Sequence, residues 1–179
     1  MDLPNFRYFA DPVASGAIGP SENVCSCCSE RRGLAYLGNV HPRAANGVEP
    51  ETICAWCLAD GSAARKFNLE FVRRRALSGE ILRDEVLVEL TTKTPAFAAW
   101  QEPKWICHCQ DACVFHGDLS LEEAQNPNWT AAAEFLGESV EAAKSLWSEI
   151  AANYRPADPS VLKFVCRHCR KVFYQLDSP

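Results

Sequence analysis

An α+β fold held together by bound metal is predicted for this 179-residue chain by three observations. Eight of its ten cysteines fall into four close pairs, Cys25-x2-Cys28, Cys54-x2-Cys57, Cys109-x3-Cys113 and Cys166-x2-Cys169. The first two pairs enclose a β-prone, turn-rich segment and lead into a helix-forming run. The second half carries two helical stretches and then a strand, a knuckle and a strand. Together these define an N-terminal treble-clef-like finger over residues 1–78 and a C-terminal helical lobe, 79–179, closed by a zinc-ribbon knuckle.

The N-terminal elements follow in order. "ENVCSCCSERRG" (22–33) holds the first knuckle, and a Cys-x2-Cys turn can aim both sulfurs at one ion about 2.3 Å away while local N–H groups soften the thiolate charge. "GLAYLGNV" alternates loosely and is rich in strand formers, "HPRAANG" is a turn, and "VEPETI" is expected to return as the second arm of a hairpin. "CAWCLADGSAARKFNLEF" is then rich in helix formers with apolar residues near helical spacing. That places Cys54 and Cys57 at a helix start, where the dipole favours thiolates.

Between the two cysteine regions, the run from Glu80 to Leu90 is read as a helix rather than a buried strand. It is ended by "TKTP", because the residue before proline is pushed out of the helical region. Ser78 and Gly79 mark the expected boundary. In "WICHCQDACVFHG" the third pair sits on a loop or a first helical turn. "TAAAEFLGESV" and "SVEAAKSLWSEIAANY" read as helices, and "LKFVCRHCRKVFYQ" as strand, knuckle, strand. Four pairs make two tetrahedral sites. One joins Cys25, Cys28, Cys54 and Cys57; the other joins Cys109, Cys113, Cys166 and Cys169 and staples the end of the chain to its middle. Two Zn²⁺ per chain are expected.

Composition limits what such a protein does. Ten cysteines might form disulfides, but that reading wants a small secreted scaffold, whereas the first twelve residues contain two acids and two prolines and no apolar run. A cytoplasmic protein is the expectation, and in a reducing compartment clustered cysteines point to metal. No stretch is long and apolar enough to span a bilayer. The formal charge of −5 disfavours a general nucleic-acid binder, whose affinity rests on many contacts from cations to phosphate. Each site of four thiolates and one Zn²⁺ lowers that charge by about two more.

With these residues in view, the chain resembles the CbrC family of small bacterial proteins, a group whose name is tied to colicin tolerance and for which no biochemical activity is established. The resemblance runs from "LPNFRYFADPVASGAI" through "VCSCC", "GLAYLGNV", "ICAWCLADGSAARKF" and "KTPAFAAWQEPKW" to "CHCQDACVFHGD" and "FVCRHC". It implies a cytoplasmic zinc protein with metal positions at Cys25, Cys28, Cys54, Cys57, Cys109, Cys113, Cys166 and Cys169. An enzyme is not implied. The chain departs from the pattern at Ser29, where such knuckles usually have glycine, at Cys107, and in a short stretch after Phe71.

Other residues carry competing readings. Cys27 and Cys107 are surplus thiols, read as small buried residues beside a metal site, with ligand exchange on oxidation the alternative for Cys27. His108, Asp111 and His116 around Cys109 or Cys113 admit a metal-dependent enzyme, but four cysteines would close the position a catalytic zinc keeps open for water, and Asp111 is more simply an acceptor supporting the site or a helix cap. His41 and His168 are substitute ligands only if a cysteine pair fails to reach. Arg31, Arg32, Arg167, Arg170 and Lys171 read as cations compensating the thiolates; with Phe164, Phe173 and Tyr174 they would instead form a stacking surface for single strands. Trp56, Trp100, Trp105, Trp129 and Trp147 read as packing anchors. A zinc-stapled module that engages a protein partner is the function these features favour.

Overall fold

In the computed structural model, which describes residues 2–45, 47–156 and 160–178, the first residues cross the molecule at once. Phe115 donates its N–H to the Tyr8 carbonyl and Ala10 donates to the Phe115 carbonyl, both at 2.9 Å. The start of the chain is thereby laid against a strand a hundred residues away.

β1 (Ile18–Ser21) and β2 (Gly33–Tyr36) form an antiparallel pair, Ile18 opposite Tyr36, with the first knuckle between them. β3 (His41–Pro42) follows. The expected return strand "VEPETI" does not form. β2 instead meets the segment before the second knuckle through the Tyr36 N–H to the Ile53 carbonyl (2.9 Å) and a single bridge from Ala35 to Cys54. Pro50 lacks the donor that a ladder needs there. α1 (Ala55–Ala59) and α2 (Ser62–Phe67) replace one longer helix, broken at Gly61 with φ 75°, and β4 (Leu69–Glu70) pairs with β3.

After a 3₁₀ turn over Arg74–Ala76, β5 (Leu77–Gly79) leads to α3 (Asp84–Lys93). The helix expected there is present, and it stops as anticipated, with Thr94 extended before Pro95. β6 (Trp105–His108) runs parallel to β5 and turns back into β7 (Asp111–Ala112). The place expected as a boundary, Ser78 and Gly79, therefore lies inside a paired strand.

β8 (Val114–Asp118) joins the C-terminal sheet. Three capped helices follow: α4 (Leu121–Gln125) with a Ser120/Glu123 capping box, α5 (Trp129–Leu136) capped by Asn128 and ended by Gly137, and α6 (Val140–Asn153) capped by Ser139. β9 (Ser160–Val165) and β10 (Val172–Asp177) form the strand–knuckle–strand hairpin read from the sequence and complete an antiparallel sheet in the order β10-β9-β8.

The main core draws on both ends of the chain. Phe97 stacks on Phe115 (centroids 4.2 Å), Phe9 and Phe164 both meet the Phe115 ring, and Trp105 packs among them. A second core lies under the helices, where Trp147 donates its indole N–H to the Ala124 carbonyl at 2.7 Å and packs with Leu119, Ala131 and Tyr174. Trp105 and Trp147 are the anchors expected, whereas Trp100 is 65% exposed. Among the described residues no helix is long and apolar enough to cross a membrane.

Candidate metal centre

The first cluster is built by two backbone devices. In the knuckle, Cys25 donates its N–H to the Glu30 carbonyl (2.9 Å) and Ser29 donates back to the Cys25 carbonyl (2.8 Å), with Ser29 left-handed at φ 61°. Cys54 caps α1, its sulfur accepting the Cys57 N–H at 3.5 Å, so both cysteines of the second pair face one point from the helix start. The four ligand atoms of Cys25, Cys28, Cys54 and Cys57 all lie within 4.8 Å of one another, with Cys28 Sγ and Cys54 Sγ at 4.0 Å.

Electrostatics favour one thiolate here above the rest. Burial opposes ionisation of Cys25, but the backbone N–H groups of Cys54, Cys28 and Cys27 outweigh it and bring the thiol down to about 7. Burial pushes Cys54 up to about 11 and Cys57 upward as well, each further opposed by a neighbouring sulfur. A divalent cation would remove that mutual repulsion and let all four ionise. Cys27 is not part of the set: its sulfur meets Ser62 Oγ at 3.5 Å while its N–H serves Cys25 Sγ at 3.4 Å.

The second cluster is His108, Cys109, Cys166 and Cys169, again with ligand atoms within 4.8 Å. His108 Nδ1 lies 3.2 Å from Cys109 Sγ and 3.5 Å from Cys169 Sγ. His108 takes the place assigned to Cys113. Cys109 groups with His108 rather than with Cys113, because Cys109 and Gln110, both at φ 55°, are the two residues of a tight hairpin turn joining β6 to β7. Cys113 lies beyond β7, fully buried in the main core, its carbonyl accepting the Trp105 indole N–H at 2.9 Å.

The knuckle of the last pair repeats the first. Cys166 donates to the Lys171 carbonyl (2.8 Å), Arg170 donates to the Cys166 carbonyl (3.1 Å), and Arg170 is left-handed at φ 63°. The backbone N–H of Lys171 helps to lower the Cys169 thiol, whereas desolvation and the neighbouring Cys169 and Cys166 push Cys109 up to about 11.

Two carboxylates support this cluster. Glu80 accepts the Gln110 N–H at 3.0 Å, which steadies the turn, and lies behind the ring with Oε1 4.0 Å from His108 Nε2, beyond direct hydrogen-bond reach. Asp111 is fully buried and accepts from Tyr8 Oη (2.7 Å), His168 Nε2 (2.9 Å) and Arg167 Nη1 (3.2 Å). These hydrogen bonds outweigh burial and hold its carboxyl below the usual range. His168 and Arg167 are the two residues between Cys166 and Cys169, and although both remain exposed they reach an acceptor on β7. Asp111 therefore supports the site and makes no ligand contact.

The remaining candidates lie apart. His41 is on β3 and His116 is exposed on β8. Cys107 is buried, its thiol 3.5 Å from the Trp105 carbonyl. Phe164 is fully buried and Tyr174 nearly so, which removes two of the three rings of the stacking surface. In the sequence His108 is legible only within the metal-dependent-enzyme alternative, not as a partner of Cys166 and Cys169, and Glu80 is not singled out. The available signal was a histidine adjacent to a cysteine in a segment short enough to be a hairpin tip.

Fold and site together define an α+β protein with, among the described residues, two clusters of four cysteine or histidine donors able to hold metal ions. The chain belongs to the uncharacterised protein family UPF0167, whose family profile matches residues 3–178. It is 34% identical over 176 residues to the UPF0167 protein PA1536 of Pseudomonas aeruginosa, an alignment covering 98% of this chain and 97% of that protein. It is also 38% identical over 121 residues to the UPF0167 proteins Mb2317 of Mycobacterium bovis and MT2352 of Mycobacterium tuberculosis, covering 68% of this chain and 63% of each relative. No solved structure matches the chain.

Proposed function

We propose that both clusters hold Zn²⁺ and that the protein is a zinc-stapled binding module that engages a protein partner in the cytoplasm. The observation that carries this reading is the buried four-sulfur cluster with its ligand atoms within 4.8 Å. A tetrahedron of Zn–S bonds about 2.3 Å long has edges of about 3.8 Å, close to the 4.0 Å between Cys28 and Cys54. The order of knuckle, strand and helix, with Cys54 and Cys57 at the helix start, supports a treble-clef-like finger for residues 1–78. The hairpin of β9 and β10 supports a zinc-ribbon knuckle for the rest. The resemblance to the CbrC family supports a role in colicin tolerance or a related stress response.

A second reading, metal-dependent catalysis, is favoured by one observation: the second cluster includes a nitrogen donor and leaves Cys109 and Cys169 exposed. Four donors fill a tetrahedron, however, and a catalytic zinc needs one position open to water. Elemental analysis and X-ray absorption on protein purified under reducing conditions separate the two. The binding-module reading expects about two Zn²⁺ per chain, seven sulfurs and one nitrogen shared between them, and no water oxygen. A metal content near one overturns the two-site assignment, and iron in place of zinc overturns the identity of the metal; a bound water at the His108 site favours catalysis.

A further inference from the structure

A cleft whose lining includes no residue of either cluster opens where three segments meet: residues 37–41 after β2, residues 71–76 around the 3₁₀ turn, and residues 96–105 leading into β6. It encloses about 500 Å³, within the range of about 300–1,000 Å³ typical of small-molecule sites. We infer that this cleft binds a small organic oxyanion, a carboxylate or phosphate monoester on an apolar body, with Arg73 and Arg75 as the recognising cations.

Charge carries the inference. Arg75 Nε and Arg73 Nη1 converge on the same oxygen, Glu102 Oε1, at 2.7 and 3.4 Å. Two guanidiniums thus share one carboxylate at the mouth. The nearby Arg43 and Arg74 are held by Glu70 at 3.2 and 3.3 Å, which keeps that carboxylate occupied. The local field agrees: burial first, then the charges of Arg73 and Arg75, lower the His41 pKa, against opposing contributions from Glu70 and Glu49.

The walls supply the rest. Phe97 and Trp105 are 5% and 1% exposed and back the cleft with low-dielectric material, which strengthens a charge contact beyond its value in open water. A guanidinium offers five donors in a planar fork matched to carboxylate and phosphate, and Arg75 gives only its Nε to Glu102. The apolar flank formed by Ala96, Ala98 and Ala99 suits a flat hydrocarbon body rather than a bare inorganic ion.

The test is an NMR titration of the full zinc-loaded chain with phenyl phosphate, benzoate and phenol in parallel. Saturable shifts are expected for amides of residues 37–41, 71–76 and 96–103 with at least one of the two anions, whichever binds tighter giving the headgroup class. Phenol should bind at least about tenfold more weakly, the size of effect expected for losing a charged hydrogen-bonding partner. R73Q/R75Q should weaken the anion by at least about tenfold with zinc content and melting temperature unchanged. E102Q, which keeps both guanidiniums and removes their competitor, should tighten it and serves if the double variant does not fold. Absence of saturation by either anion, shifts mapping elsewhere, or an E102Q affinity no better than the parent's overturns the proposal.

Discussion

Ser29 and Arg170 do the same work at opposite ends of the chain. Each follows the second cysteine of a knuckle, each is left-handed, and each returns its N–H to the first cysteine's carbonyl. A side chain in that conformation costs about 1–2 kcal/mol, partly offset by the extra freedom that glycine loses on folding. Ser29→Gly is therefore expected to raise the unfolding free energy of the metal-loaded protein by about 0.5–1 kcal/mol, read by denaturant melts. The sequence marked Ser29 as standing where glycine is usual, and the geometry bears that out. Asp111 was legible only as a supporting residue; its partners, Tyr8 from the chain start and Arg167 and His168 from its end, lie too far along the sequence for any local pattern to pair them. Asp111→Ala leaves these donors without their acceptor and should cost about 2–3 kcal/mol, the scale of a hydrogen bond to a charged group, in the same melts.

At the scale of elements, the instructive case is the hairpin of β6 and β7. Its two turn residues are Cys109 and Gln110, both left-handed, where sequence reasoning looks for Asn-Gly or Asp-Gly. Lacking that signal, the segment read as a loop or helical turn, and Cys113 was assigned to the metal in place of His108. The knuckle hairpin of β9 and β10 was readable because its strands alternate and its cysteines sit at the turn. Glu80 offsets the strained turn by accepting its N–H and should matter to the metal as well. Glu80→Ala is expected to weaken zinc at the second cluster by about 10–100-fold without affecting the first, as measured by competition with a chromogenic chelator. Gly79 has a different cause. At φ 108° its position would put a Cβ 2.2 Å from the Cys107 carbonyl, so the glycine expected at a boundary permits β5 to lie against β6. Gly79→Ala should pry the strands apart and cost at least about 2 kcal/mol, with loss of amide protection at residues 105–108 as its local signature.

For the whole molecule, the two clusters differ in what surrounds them. Cys25, Cys54 and Cys57 are buried, whereas Cys109 and Cys169 are exposed. A chelator should therefore strip the chain in two phases, the second cluster first. Hydrogen exchange should then show early deprotection of residues 105–118 and 160–177 while α1 and α2 stay closed; a single phase across both regions would mean that the clusters stand or fall together. The sequence conveyed two clusters and most of the donors that the fold gathers in them among the described residues, because cysteine spacing is local. The way that both halves share the core around Phe97, Phe115 and Phe164 was hidden, since no periodicity reports which distant rings will meet.

The grip of Asp111 on Arg167 and His168 bears on how quickly the second cluster fills. The residues between two chelating cysteines are ordinarily loose until an ion arrives, so capture must wait for the loop to find its shape. Here a carboxylate on a separate strand holds that loop by both intervening side chains, so part of its ordering entropy is lost on folding rather than on binding. Preorganisation of this kind should leave less of the loop to order when an ion returns, so a stripped chain is expected to recapture metal at the last pair faster than an Asp111→Ala variant does.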